Sequence, residues 1–131
     1  MTDKNILTVL SEANKVRQTK WKGSENLDMN FRALELCEEV GEVAGAVKKL
    51  YRARNGVIGN TKPESDIVEN LIEEVGDVLI CLDLLADKTG INLTDALIEK
   101  FNKTSTKHGI DVHIARSYDN NFYVTTAEIL K

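Results

Sequence analysis

The sequence predicts an all-α protein, an antiparallel helical bundle of about four helices followed by a short irregular C-terminal tail. Three observations lead there. The 131 residues include a single proline, Pro63, and only 5% aromatics, a composition poor in strand and turn formers. Leu, Ala, Glu and Lys are abundant, and these are good helix formers. Apolar residues also recur at three- and four-residue spacing through most of the chain.

The first helix is expected from about Asp3 to Trp21, on a stripe of Ile6, Leu7, Leu10, Ala13 and Val16. Gly23, Ser24 and Asn26 interrupt it. A second helix starts near Asp28, a suitable N-cap, and continues to about Arg54. The stretch from Asn55 to Pro63 is turn chemistry, with glycines, asparagines and the proline. A third helix opens near Ser65 or Asp66 and ends at Gly90, a C′ glycine. The fourth is capped by Asn92 or Thr94 and runs to about His108. From Ile110 to Lys131 no period is visible, and Phe122, Tyr123 and Val124 suit either a short strand or a packed loop. Two long helices joined by a short loop lie antiparallel, and no sheet is needed to explain the pattern.

Bulk properties narrow the function. A formal charge of −4 argues against a surface that coats nucleic acid, while a bound cation could still bring an anionic ligand to an acidic site. The longest apolar run, Val78 to Leu82, is far short of a membrane span. The N-terminus lacks the apolar core of a signal peptide. Cys37 and Cys81 both fall in helical patterns without metal-type spacing and read as buried, reduced thiols. A cytoplasmic location, with neither nucleic acid nor membrane as partner, is therefore expected.

The most informative feature is an internal echo. Residues 36–47 read LCEEVGEVAGAV and residues 71–82 read LIEEVGDVLICL, aligned without a gap. At about 100° per residue, the apolar arc of the second helix centres on Val40, and that of the third on Val75. Glu39 and Glu42 then lie beside the first arc, and Glu74 and Asp77 occupy the same angular places beside the second. Helices packed through such arcs sit about 8–10 Å apart, so all four carboxylates can converge. Four like charges that close repel unless a proton or cation intervenes. All-oxygen ligation suits magnesium or manganese, not zinc. Gly41 and Gly76, one within each pair, add no side chain to obstruct a ligand. A lone ExxE on a helix is ordinarily a solvated acidic face; the doubled motif in matched phase points to a metal.

With Glu38-Glu39-Val40-Gly41-Glu42 on one helix and Glu74-Val75-Gly76-Asp77 on the next, the sequence resembles the all-α nucleoside triphosphate pyrophosphohydrolases, the MazG-like proteins and their dimeric dUTPase relatives. The resemblance covers about residues 5–110, so a MazG-like domain over 1–110 and a separate tail over 111–131 are expected. It implies Mg2+, with Mn2+ as a substitute, held by Glu39, Glu42, Glu74 and Asp77. It also implies attack of metal-activated water at the α-phosphorus of a nucleoside triphosphate, a dNTP for preference, giving monophosphate and pyrophosphate. Glu38 is the candidate catalytic residue that orients or deprotonates the water. Lys100, Asn102, Lys103 and Lys107 match the end of the last core helix in relatives and are candidate phosphate or sugar contacts. Lys48, Lys49 and Arg52 compete for that role.

Trp21, the only tryptophan, is the candidate stacking surface for the base, with a core or interface position as its other reading. Phe31 reads as core. Some nucleotide-selective relatives carry aromatic residues where this chain has Lys49 and Cys81, which leaves the base unassigned. The family's habit implies a homodimer or homotetramer.

A ferritin-like di-iron bundle needs ExxH pairs, and neither His108 nor His113 follows a glutamate at that spacing. A non-catalytic nucleotide- or metal-binding regulatory module stays open, as does the same fold acting on another phosphoanhydride such as an alarmone.

Overall fold

The computed structural model describes residues 4–59 and 61–126. Four helices carry the fold: α1 (Ile6–Lys20), α2 (Met29–Arg54), α3 (Glu64–Thr89) and α4 (Leu93–Lys107). Three of them start on side-chain caps of the expected kind. Asn5 Oδ1 accepts from Thr8 N at 3.0 Å, Asp28 Oδ1 from Phe31 N at 2.9 Å, and Asn92 Oδ1 from Asp95 N at 3.0 Å. α3 instead starts behind Pro63, whose fixed φ suits a helix entry without a side-chain cap. It ends at Gly90 in the left-handed region (φ 72°). Thr94 is not the cap of α4; it is buried, and its hydroxyl donates to Asn5 Oδ1 at 3.2 Å, joining the starts of α1 and α4.

The expected start of α1 at Asp3 lies outside the described residues, as do residues 127–131 of the tail. The rest of that tail is more regular than expected. β1 (Val112–Arg116) and β2 (Phe122–Thr126) form an antiparallel hairpin, with Ile114 opposite Val124. The turn between them rests on short polar residues: the Ser117 hydroxyl donates to the Asp119 carboxylate, and Asn120 adopts a positive φ of 63°. β1 packs along α4. The strands are short and carry mixed polar and apolar residues, so no alternation in the sequence announces them.

α2 and α3 make the most extensive helix pair, and α1 crosses α3 and α4. The α1–α3 contact is polar at its centre. Asn14 and Asp83 are both buried, and Asn14 Nδ2 donates to Asp83 Oδ2 at 2.8 Å and to the Ile80 carbonyl at 3.3 Å.

The apolar arcs are rotated from expectation. Val40, Val47 and Tyr51 on α2, and Ile72, Val75 and Leu79 on α3, lie exposed. Cys37, expected to be buried, is exposed as well. The less exposed positions are instead Leu36, Glu39, Val43, Ala46 and Leu50 on α2, and Leu71, Glu74, Val78 and Cys81 on α3. The acids therefore sit in the seam. The accessible surface is 9804 Å², against about 6,900 Å² for a compact monomer of this 14.6 kDa mass. Among the described residues, no helix is long and apolar enough to cross a membrane.

Candidate functional site

The echoed motifs meet where α2 faces α3. Glu39, Glu74 and Asp77 each place a carboxylate oxygen within 4.8 Å of the others. Glu39 and Glu74 are half-buried and Asp77 is exposed, so the cluster opens to solvent on one side. Glu42 borders this group, and its carboxyl comes close enough to Glu74 for a proton to be shared between them. Hydrogen bonding and repulsion from Glu74, then repulsion from Glu39, hold the Glu42 carboxyl above its usual range. Burial, followed by repulsion from Asp77 and Glu74, raises Glu39 as well. Two oxygens in the cluster, Glu39 Oε2 and Glu74 Oε2, are buried without any hydrogen-bond donor. The other oxygen of Glu74 accepts from Asn70 Nδ2 at 3.0 Å, as an outer-sphere group orients a ligand.

Buried carboxylate oxygens without donors are costly. A hard divalent cation would remove that cost, so the donor set fits one. Helical spacing explains the assembly: residues three apart on each helix fall on neighbouring positions of one face, and α2 and α3 bring the two pairs together.

A cavity of about 450 Å³ opens from Glu39 and Asp77 towards the corner between α1 and α2. Arg17, Gln18, Trp21, Phe31 and Arg32 line it. Trp21 is 62% exposed and Phe31 is 43% exposed. Phe31, read from the sequence as core, thus presents a ring to this cavity. Arg32 is 4% exposed, with Nη1 on Glu35 Oε2 at 2.9 Å and Nη2 on Gln18 Oε1 at 2.7 Å. Cys81 also lines the cavity, and burial among acidic neighbours pushes its thiol up to about 11; it stays a protonated thiol at neutral pH.

The other expected residues lie elsewhere. Glu38 is exposed on α2, close enough for its charge to help raise Glu39 and Glu42. Lys100 borders a separate apolar groove with Leu79, Leu82 and Phe101. Lys103 and Lys107 are exposed on α4, and neither lines the acidic cavity. Asn102 is engaged with the backbone of β1, donating to the Ile114 carbonyl at 2.9 Å and accepting from the Ile114 N–H at 2.8 Å. Sequence reasoning missed Arg17, Gln18 and Arg32. A signal existed for Arg32: it is a cation two helical turns before Glu39 on the same face, next to Leu36 and Val43.

Residues 31–109 match the family model of the MazG nucleotide pyrophosphohydrolase domain. The chain belongs to that family. The match spans nearly all of α2, and α3 and α4, and so contains all six acids of the echoed motifs and Arg32. It excludes all of α1, with Gln18, as well as Trp21 and the β hairpin. The MazG chain is also 36% identical over 62 residues to the uncharacterized protein YvdC of Bacillus subtilis (strain 168). That alignment covers 47% of this chain and 58% of YvdC, so the chain spans a little over half the length of this curated relative.

Proposed function

We propose that this MazG protein hydrolyses a nucleoside triphosphate, preferably a dNTP, to the monophosphate and pyrophosphate. The observation that carries the reading is the three-carboxylate cluster with its two donor-less oxygens, opening on the same cavity as two exposed aromatic rings. Such a cavity has one end suited to a cation and phosphates and another suited to a flat base.

In this reading Glu39, Glu74 and Asp77 hold magnesium, or manganese in its place, and Glu42 completes the set from the solvent side. The bound cation would offset the charge that develops on the phosphates and favour attack at the α-phosphorus. Glu38 takes the proton of the attacking water. Arg17, which lines the same cavity, balances the phosphate charge and replaces the α4 lysines in that role. Trp21 stacks the base. The reacting unit lies within residues 1–110, and the hairpin braces α4.

We further propose that the chain works as a homodimer or larger homo-oligomer. The exposed stripes on α2 and α3, and an accessible surface well above that of a compact monomer, support this.

The test is to incubate the protein with NTPs and dNTPs plus magnesium and to follow pyrophosphate against single phosphate release. Magnesium-dependent pyrophosphate with matching monophosphate, lost in Glu42→Ala and Asp77→Ala, is expected. Folded protein that binds metal but releases neither product from any nucleotide would favour a binding module instead.

A further inference from the structure

One side-chain amide in the nucleotide cavity is oriented from behind. Gln18 is half-buried near the end of α1, and its Oε1 accepts from Arg32 Nη2 at 2.7 Å. A guanidinium can only donate, so the oxygen of the amide is committed to Arg32 and its NH2 group faces the other way. Arg32 cannot easily yield: it is 4% exposed and pinned to Glu35 through its other terminal nitrogen at 2.9 Å. The Gln18 backbone is fixed as well, its carbonyl accepting from the Ser24 hydroxyl at 2.6 Å and from Trp21 N at 3.3 Å. No described residue accepts a hydrogen bond from the Gln18 amide nitrogen. Gln18 lines the same cavity as Trp21 and Phe31, so an amide whose oxygen is already taken, and whose free group is a donor, borders it.

We propose that Gln18 selects the base. This rests on the nucleotide reading above, and it names the class of base. With the base against the aromatic rings, the Gln18 NH2 donates to a carbonyl oxygen at position 4 of a pyrimidine or position 6 of a purine. Uracil, thymine and guanine carry an acceptor there; cytosine and adenine carry an amino group, which would meet the amide donor to donor. A site built to hydrogen-bond one group discriminates against the analogue that leaves its polar atom unpaired. Because Gln18 is only half-buried, discrimination of about tenfold or more is expected, short of the limit for a fully enclosed site. Arg32 is the positioning residue, since it sets which end of the amide the base meets.

Glu at position 18 reverses the polarity while keeping the shape. Gln18→Glu still offers an oxygen to Arg32, but presents a second acceptor to the cavity in place of a donor. The experiment measures equilibrium binding of α,β-imido deoxynucleoside triphosphates carrying uracil, thymine, guanine, cytosine or adenine, in magnesium, to the wild type and to Gln18→Glu and Gln18→Ala. Melting curves verify that each variant folds. The wild type is expected to favour the three carbonyl bases by about tenfold or more. Gln18→Glu should shift the ratio towards cytosine and adenine, and Gln18→Ala should level it. The added charge weakens all triphosphates alike, so the readout is the ratio between bases. A wild type without base preference, or a Gln18→Glu variant that weakens all five equally, overturns the assignment and leaves the nucleotide reading standing. Failure of every analogue to bind the folded wild type removes both.

Discussion

Asn102 on α4 spends its whole amide on one residue of the hairpin, donating to the Ile114 carbonyl at 2.9 Å and accepting from the Ile114 N–H at 2.8 Å. The pair mimics a strand neighbour for β1 on the side that β2 leaves free. A two-stranded hairpin is marginal alone, so this clasp is what docks it on α4. Asn102→Ala should cost about 1–3 kcal/mol, because both Ile114 backbone groups lose their partner. The loss should appear first as faster hydrogen exchange at the Ile114 amide. The Michaelis constant for nucleotide should stay close to wild type; a large rise in it would restore Asn102 to the substrate site.

Asn70 offers a test of the metal cluster that leaves the carboxylates in place. Its amide donates to Glu74 at 3.0 Å and holds that carboxylate towards Glu39 and Asp77. Removing such an outer partner typically weakens metal binding about 10- to 100-fold. Asn70→Ala should therefore lower magnesium and manganese affinity by about that factor, with activity recovered at high metal concentration. Asp77→Asn should lose at least about a hundredfold in kcat/KM and recover little with added metal. Calorimetric titration with both ions separates the two behaviours. Equal metal binding by wild type and Asp77→Asn would sink the ligand assignment.

The raised Glu39 carboxyl gives a pH dependence of stability with a definite sign. Burial, then the charges of Asp77 and Glu74, makes the folded state hold the Glu39 proton more tightly than the unfolded chain does. Its contribution is therefore fully present below the ordinary glutamate range, and is lost as pH rises through the elevated folded value. Glu39→Gln mimics the protonated form at every pH. In chelator-treated protein it should raise Tm at pH 8 and leave it unchanged near pH 4. Saturating magnesium should reverse the order at pH 8, since only the wild type then gains from the ion. Thermal melts of the two proteins, with and without magnesium, read both signs.

How much of this was legible differs by level. Helix ends were readable at Asp28, Asn92 and Gly90 because these act through local backbone chemistry, and the acids because their spacing repeats; the cap at Asn5 was not read, the helix being expected from Asp3. The packing phase was not. A wheel drawn around Val40 and Val75 assumes that the most apolar arc faces its own chain. Here that arc faces outwards, and the half-polar flank with Glu39 and Glu74 faces in. The sequence specifies which residues are apolar, not which of them the neighbouring helix covers. Gln18 and Arg32 were missed for a related reason: their partnership spans α1 and α2, and no periodicity within one helix encodes it.

That outward arc leads to a prediction about assembly. Val75 and Leu79 are 45% and 47% exposed on α3, with Ile72 at 67% beside them, and Val40 and Val47 lie exposed on α2. A continuous apolar stripe of this kind on two neighbouring helices is unfavourable in water. A two-fold related copy would cover it with the same residues, turning the α2–α3 pair into a four-helix layer. The wild type should sediment as a dimer or larger, and Leu79→Glu should shift it towards monomer while lowering Tm, because a charge then stands in the interface. Glu25→Lys, an exposed change in the turn between α1 and α2, should leave the sedimentation coefficient alone. A wild type that stays monomeric at micromolar concentration, with Leu79→Glu melting at the same temperature, would mean that the stripe is tolerated in solvent and that no second copy covers it.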